Sequence, residues 1–218
     1  MIKKLTLIFA ILLNSIGFSQ SSNLGNWMIY FGNFKINSKL NLHHEVQYRN
    51  YNSIGDLEQL LLRTGLGYNL SENNNNLLLG YGYILSENYN DLDEKNEVQE
   101  HRIYQQFQTK QKFGRFTLGH RYRFEERFIE DNFKFRFRYF LTTKMALNQK
   151  TITDKTIYLS AYNEIFLSGH GAKFDRNRLY GGLGYKLNEN LSFELGYMNQ
   201  FFESSSRDQI NIIMSASF

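Results

Sequence analysis

Residues 116–141 alternate between aromatic or aliphatic and charged side chains with a period of two, which is the period of a strand and not of a helix. Phe116, Leu118, His120, Tyr122 and Phe124 share one face, and Thr117, Gly119, Arg121, Arg123 and Glu125 the other. Beyond the turn signal Ile129-Glu130-Asp131-Asn132, the apolar face continues with Phe133, Phe135, Phe137, Tyr139 and Leu141, opposed by Lys134, Arg136, Arg138 and Thr142. The two runs predict a β-hairpin.

Similar segments recur near 26–36, 40–51, 58–70, 77–86, 98–111, 115–127, 133–148, 156–167, 176–187, 191–202 and 209–218. In the second, Leu40, Leu42, His44, Val46 and Tyr48 oppose Asn41, His43, Glu45, Gln47 and Arg49. A soluble antiparallel sheet turns its charged face to water and lays its apolar face on a second layer. Nearly every segment here repeats the pattern, so no layer is left to cover the aromatic face. Hydrocarbon is the remaining environment, and a sheet in hydrocarbon must close because nothing there satisfies its edge N–H and C=O groups. The predicted fold is an all-β, antiparallel transmembrane β-barrel with a charged lumen. Eleven segments conflict with the even strand number of single-chain bacterial barrels. The expected count is therefore ten to twelve, with 26–36 either surplus or hiding a further strand break. Tight connections at 37–39, 112–114 and 188–190 against longer ones at 87–97 and 168–175 suggest short periplasmic turns and long external loops.

Composition agrees with a barrel. The chain of 218 residues has no proline, which cannot donate to a sheet ladder, and no cysteine, which excludes disulfides and thiolate metal sites. A mean hydropathy of −0.48 fits a sheet in which only alternate residues meet lipid. Residues 1–19 open with Lys3 and Lys4, pass through the apolar run Leu5–Leu13 and end in small residues at Gly17 and Ser19, the pattern of a secretory signal peptide. The barrel would then occupy 20–218. Without the leader the formal charge falls from +4 to +2, and no basic stripe suggests nucleic acid. The expected location is the outer membrane of a Gram-negative bacterium, in contact with outer-membrane lipid and lipopolysaccharide. The alternating last strand ending at Phe218 resembles the signal read by the barrel-insertion machinery.

Trp27 with Tyr30, Leu42–Arg49, Arg63 before Gly65-Leu66-Gly67-Tyr68, Glu100-His101-Arg102, His120–Glu125, Tyr162-Asn163-Glu164 and Asn177–Tyr180 together resemble a family of Bacteroidota outer-membrane barrels catalogued as a domain of unknown function. The resemblance spans essentially the whole chain after the leader. It implies location and fold class, and brings no activity or site residues.

The inward phase gathers Arg49, Arg63, Arg102, Arg121, Arg123, Arg127, Lys134, Arg136, Arg138 and Arg178 against Glu45, Glu100, Glu125, Glu164 and Glu194. Such charges are tolerable in a small lumen only when paired or hydrated. One reading is an ion-pair network that fills the barrel. The other is an anion-attracting wall, because Arg121 and Arg123 fall near Arg136 and Arg138 across the hairpin, where like charges repel unless distant glutamates or a small anionic solute intervene. The expected function is a structural barrel or a narrow anion-biased pore. The rival is an outer-membrane lipid hydrolase or acyltransferase, for which histidine is the available base. His44, His101 and His120 fall on the lipid-facing phase, His43-His44-Glu45 splits across both faces, and His170 lies in a Gly-rich loop. No motif flags a serine nucleophile, no helix follows the glycine pairs to form a phosphate loop, and no cofactor or metal is expected.

Overall fold

The computed structural model describes residues 24–71, 74–169 and 173–218, so the expected signal peptide at 1–19 and His170 lie outside the described residues. Among the described residues the chain forms β1 (Gly25–Lys35), β2 (Leu40–Asn50), β3 (Leu57–Asn69), β4 (Asn75–Tyr89), β5 (Lys95–Phe113), β6 (Phe116–Ile129), β7 (Asn132–Ala146), β8 (Thr156–Ser168), β9 (Lys173–Lys186), β10 (Leu191–Phe201) and β11 (Ser206–Ser217). Each strand pairs with its neighbours in sequence and the sheet closes into a barrel.

Eleven strands fall within the expected ten to twelve, and the even-number rule gives way to the manner in which the barrel closes. In an up-and-down meander successive strands reverse direction, so an odd total brings the first and last to the seam pointing the same way. β1 and β11 accordingly pair in parallel, from Gly25 opposite Gln209 to Asn33 opposite Ser217. The other neighbouring pairs are antiparallel. The segment at 26–36 is therefore not surplus; it is the strand that closes the wall. The anticipated contrast between short turns and long loops does not hold either. Cross-strand pairing carries β4 and β5 out to Tyr89 opposite Lys95, which shrinks that connection to 90–94, and the longest connection, 147–155, lies at the same end as the two-residue turn at 114–115. The two tightest turns need the left-handed backbone region, which Gly114 adopts at φ 57° and Glu130 at φ 49°.

Side chains divide as the alternation predicts. Phe116 and Phe137 on the outer face are 49% and 54% exposed, whereas Arg136 and Arg138 are 4% and 6% exposed and point inward. The interior is nevertheless not charged throughout. On the side built by β1 and β9–β11, Trp27, Ile29, Tyr180, Met198 and Ile213 form an apolar cluster, with Phe31 and Tyr162 packed against it. The charged wall belongs to β2–β9. Large inward rings are accommodated by glycine on the neighbouring strand. A Cβ at Gly80 would lie 2.2 Å from the Tyr104 ring, and one at Gly184 would lie 2.3 Å from Tyr158. Tyrosine and glycine are thus complementary halves of one packing unit.

Gly184→Val is expected to lower unfolding stability by about 1–3 kcal/mol, the usual cost of overpacking. Gly181→Val, where an added side chain meets open space, should stay within about 0.5 kcal/mol of the parent, as surface substitutions do. Urea unfolding midpoints of the two variants check the difference.

Candidate functional site

The densest chemistry lies on the β6–β7 hairpin, where the register sets Arg123 opposite Arg138 and Glu125 opposite Arg136. Glu125 is fully buried. One of its oxygens accepts from Arg136 Nε at 2.9 Å and Nη2 at 2.6 Å, and the other accepts from Arg138 Nη1 at 2.6 Å. Glu164, brought alongside by β8, takes Arg138 Nε at 3.0 Å and Nη2 at 2.7 Å, takes Arg121 Nη2 at 2.7 Å, and lies 3.5 Å from Arg178. The carboxylates that separate the like charges of this hairpin therefore come from the hairpin itself and from the adjoining strand, not from distant strands.

A second group is centred on Glu45, which accepts from Arg63 at 2.6 Å and also from Gln47. Arg49 bonds only to amide oxygens, Gln47 at 2.6 and 3.0 Å and Gln59 at 2.7 Å. In the third group Glu100 receives Arg102, and also Arg127 at 2.6 and 2.9 Å. Two expected members stand outside these groups. Glu194 pairs with Lys144 and accepts from Tyr158 at 3.1 Å, because β10 faces β7 and β8 below the arginine wall. Lys134 is exposed, since the end of β7 carries it out of the enclosed interior. Where 51–56 joins β2 to β3, Tyr51 donates to the Glu87 carbonyl at 3.0 Å. Burial, and then the neighbouring Glu58, raise its phenol above the usual value.

The sequence reading missed the rings that carry these cations. Arg49 lies 3.8 Å above Trp27 and Arg178 lies 4.8 Å from the same ring. Phe166 is approached by Arg138 at 4.5 Å, Arg178 at 4.6 Å and Arg136 at 5.3 Å. Arg123 covers Tyr104 at 4.4 Å. Phe166 was within reach of period-two reasoning, because it lies two residues beyond inward-facing Glu164. The inner wall then holds Arg49, Arg63, Arg102, Arg121, Arg123, Arg127, Arg136, Arg138 and Arg178 against Glu45, Glu100, Glu125 and Glu164. Stacking on π-faces and amide oxygens supplies what carboxylates do not.

The outward histidines are satisfied locally. Tyr30 bonds His44 at 2.9 Å, Tyr81 bonds His101 at 2.5 Å and Tyr139 bonds His120 at 2.8 Å, each across a strand pair. His43 faces inward, 3.5 Å from Glu45. Among the described residues no group of three His, Cys, Asp or Glu side chains is arranged to hold a metal ion.

A family model described as a protein of unknown function, DUF2490, matches residues 24–211, which takes in β1–β10 and the first half of β11. The chain belongs to the DUF2490 family. No curated protein and no solved structure matches it. In this DUF2490 barrel Glu125 is the most deeply buried of the lumen carboxylates, and two nearly buried arginines share it. Glu125→Gln is expected to cost about 1–3 kcal/mol, because charge-assisted bonds are lost while Arg136 keeps Asp175 and Arg138 keeps Glu164. Adding Arg136→Gln should recover part of that loss, which a double-mutant cycle on unfolding midpoints measures.

Proposed function

We propose that this DUF2490 protein is an outer-membrane β-barrel that serves as a scaffold with at most a narrow, anion-biased passage. The observation that carries this reading is the coincidence of two faces on one closed sheet: apolar side chains exposed on the outside of the barrel, and an inner wall where buried arginine outnumbers buried glutamate. Exposed Leu66, Leu79, Tyr122, Phe137, Leu159, Leu179, Leu195 and Ile212 would make an unstable surface in water and suit lipid. Polar groups on that outside pair with one another, as Gln105 does with Glu126 at 3.2 Å and Asn163 with Asn177 at 2.7 Å. That habit supports an apolar surround, where a lone polar group is costly.

An interior of this strand number lies near the size that side chains fill, whereas wide aqueous channels need ~16–18 strands. Bulky solutes are therefore excluded, and the field of the unmatched arginines favours small anions over cations. Among the described residues the lipid-modifying alternative has no serine paired to a histidine to build on, and the outward histidines are held by tyrosine.

Cell fractionation with gels run heated and unheated tests the location; a soluble product without a mobility shift would overturn it. Planar-bilayer recordings test the passage. Small anion-selective steps are expected, absence of steps leaves the scaffold alone, and cation selectivity rejects the arginine bias.

A further inference from the structure

We infer that the lumen contains a specific site for a tetrahedral oxyanion of the phosphate or sulfate type, formed by Arg63, Arg121 and Arg123 around Tyr104. Three buried guanidinium nitrogens there lack a hydrogen-bond acceptor: Arg63 Nε, Arg121 Nε and Arg123 Nη1. The side chains of Arg63 and Arg123 are 4% and 1% exposed, so bulk water does not supply the missing acceptors. A buried N–H left without a partner carries a desolvation penalty, larger when its group is charged.

The glycines of β4 bring these groups together although they arise from β3 and β6. Gly80 has no side chain, so the Tyr104 ring of β5 lies across β4 and its hydroxyl donates to the Thr64 carbonyl of β3 at 3.4 Å. Gly82 lies against the Arg63 stem, with an added Cβ falling 3.1 Å from Arg63 Cγ. Arg123 reaches the same place from the other side and stacks on Tyr104 at 4.4 Å. Arg121 lies two residues before Arg123 on the same face of β6, with its guanidinium 4.4 Å from the Phe140 ring.

The carboxylates nearby are already committed. Arg63 shares Glu45, Arg121 shares Glu164 with Arg138, and Arg123 has Gln106 as its acceptor, with Glu125 no closer than 3.6 Å. Three donors from separate residues match an ion that offers acceptors in several directions and a charge above one. Phosphate and sulfate have both properties, and chloride has neither the shape nor the charge. This site deepens the anion-biased reading and rests on it.

The test uses the full-length barrel folded in detergent, with no bilayer, so that a silent conductance recording leaves it standing. Equilibrium dialysis with inorganic phosphate and with sulfate, at ionic strength fixed by sodium chloride, should give saturable binding near one ion per chain. The urea midpoint should rise with bound phosphate. Arg123→Gln should weaken phosphate binding at least about tenfold, as loss of a charge-assisted bond does. Arg121→Gln, at a less buried position, should weaken binding in the same way and stands in should Arg123→Gln fail to fold. Equal midpoints in phosphate and chloride, or undiminished phosphate binding by both variants, would overturn the site.

Discussion

Closing a sheet on itself leaves half of its side chains no exit, and for this chain that half carries guanidinium groups. Everything else about the interior follows from having to accommodate them. An open sheet would let Arg123 and Arg138, directly opposed across the hairpin, swing apart into water. Inside a barrel they must be compensated where they stand. Glu125 and Glu164 meet that need by each serving more than one arginine, and this sharing is why both are almost wholly buried. Ion pairs in such surroundings are not net sources of stability; they offset a desolvation penalty that the sequence has already incurred. A simpler interior of aliphatic side chains would be at least as stable.

Rings complete what the carboxylates leave undone. Trp27 and Phe166 each lie against more than one guanidinium, and Phe166 comes from the same strand as Glu164. The face of an aromatic ring attracts a cation without taking up its N–H donors, which stay directed along the guanidinium plane. Stacking of this kind holds an arginine in place while leaving its edge available. Arg123 on Tyr104 gives its Nε and Nη2 to Gln106 and keeps Nη1 without an acceptor, whereas Arg136 gives the same edge to Glu125 and its Nη1 to Asp175.

How much of this was legible in the chain depended on distance along it. The faces of β6 and β7 were readable because a period of two is a local property, and the inward set from Arg49 to Arg178 follows from it. Register within a hairpin was almost readable: a two-residue turn after Ile129 is enough to set Arg123 against Arg138. What joins β3 to β6 was not. The approach of the Tyr104 ring and the Arg63 stem over β4 depends on Gly80 and Gly82 vacating the strand between, and nothing in the spacing of those glycines says which side chain will occupy the room. The closing pair was misjudged for another reason. Strand parity was borrowed from a general habit of barrels, while Trp27, Ile29 and Phe31 already marked an inward face on 26–36.

The parallel seam also orders the assembly of the interior. Glu125 with Arg136 and Arg138 needs only one hairpin, and Glu164 needs one more strand, so these contacts have short loops to close. The apolar cluster differs, because Trp27 and Ile29 from β1 meet Met198 and Ile213 from β10 and β11 only after the whole meander has been made. Arg178 belongs to both systems, lying 3.5 Å from Glu164 and 4.8 Å from Trp27. It can satisfy its carboxylate as soon as β8 and β9 pair, and it acquires its ring only when the barrel closes. Closure thus ties the arginine wall to the apolar half through Arg178, as the pairing of β1 with β2 does through Arg49 on Trp27.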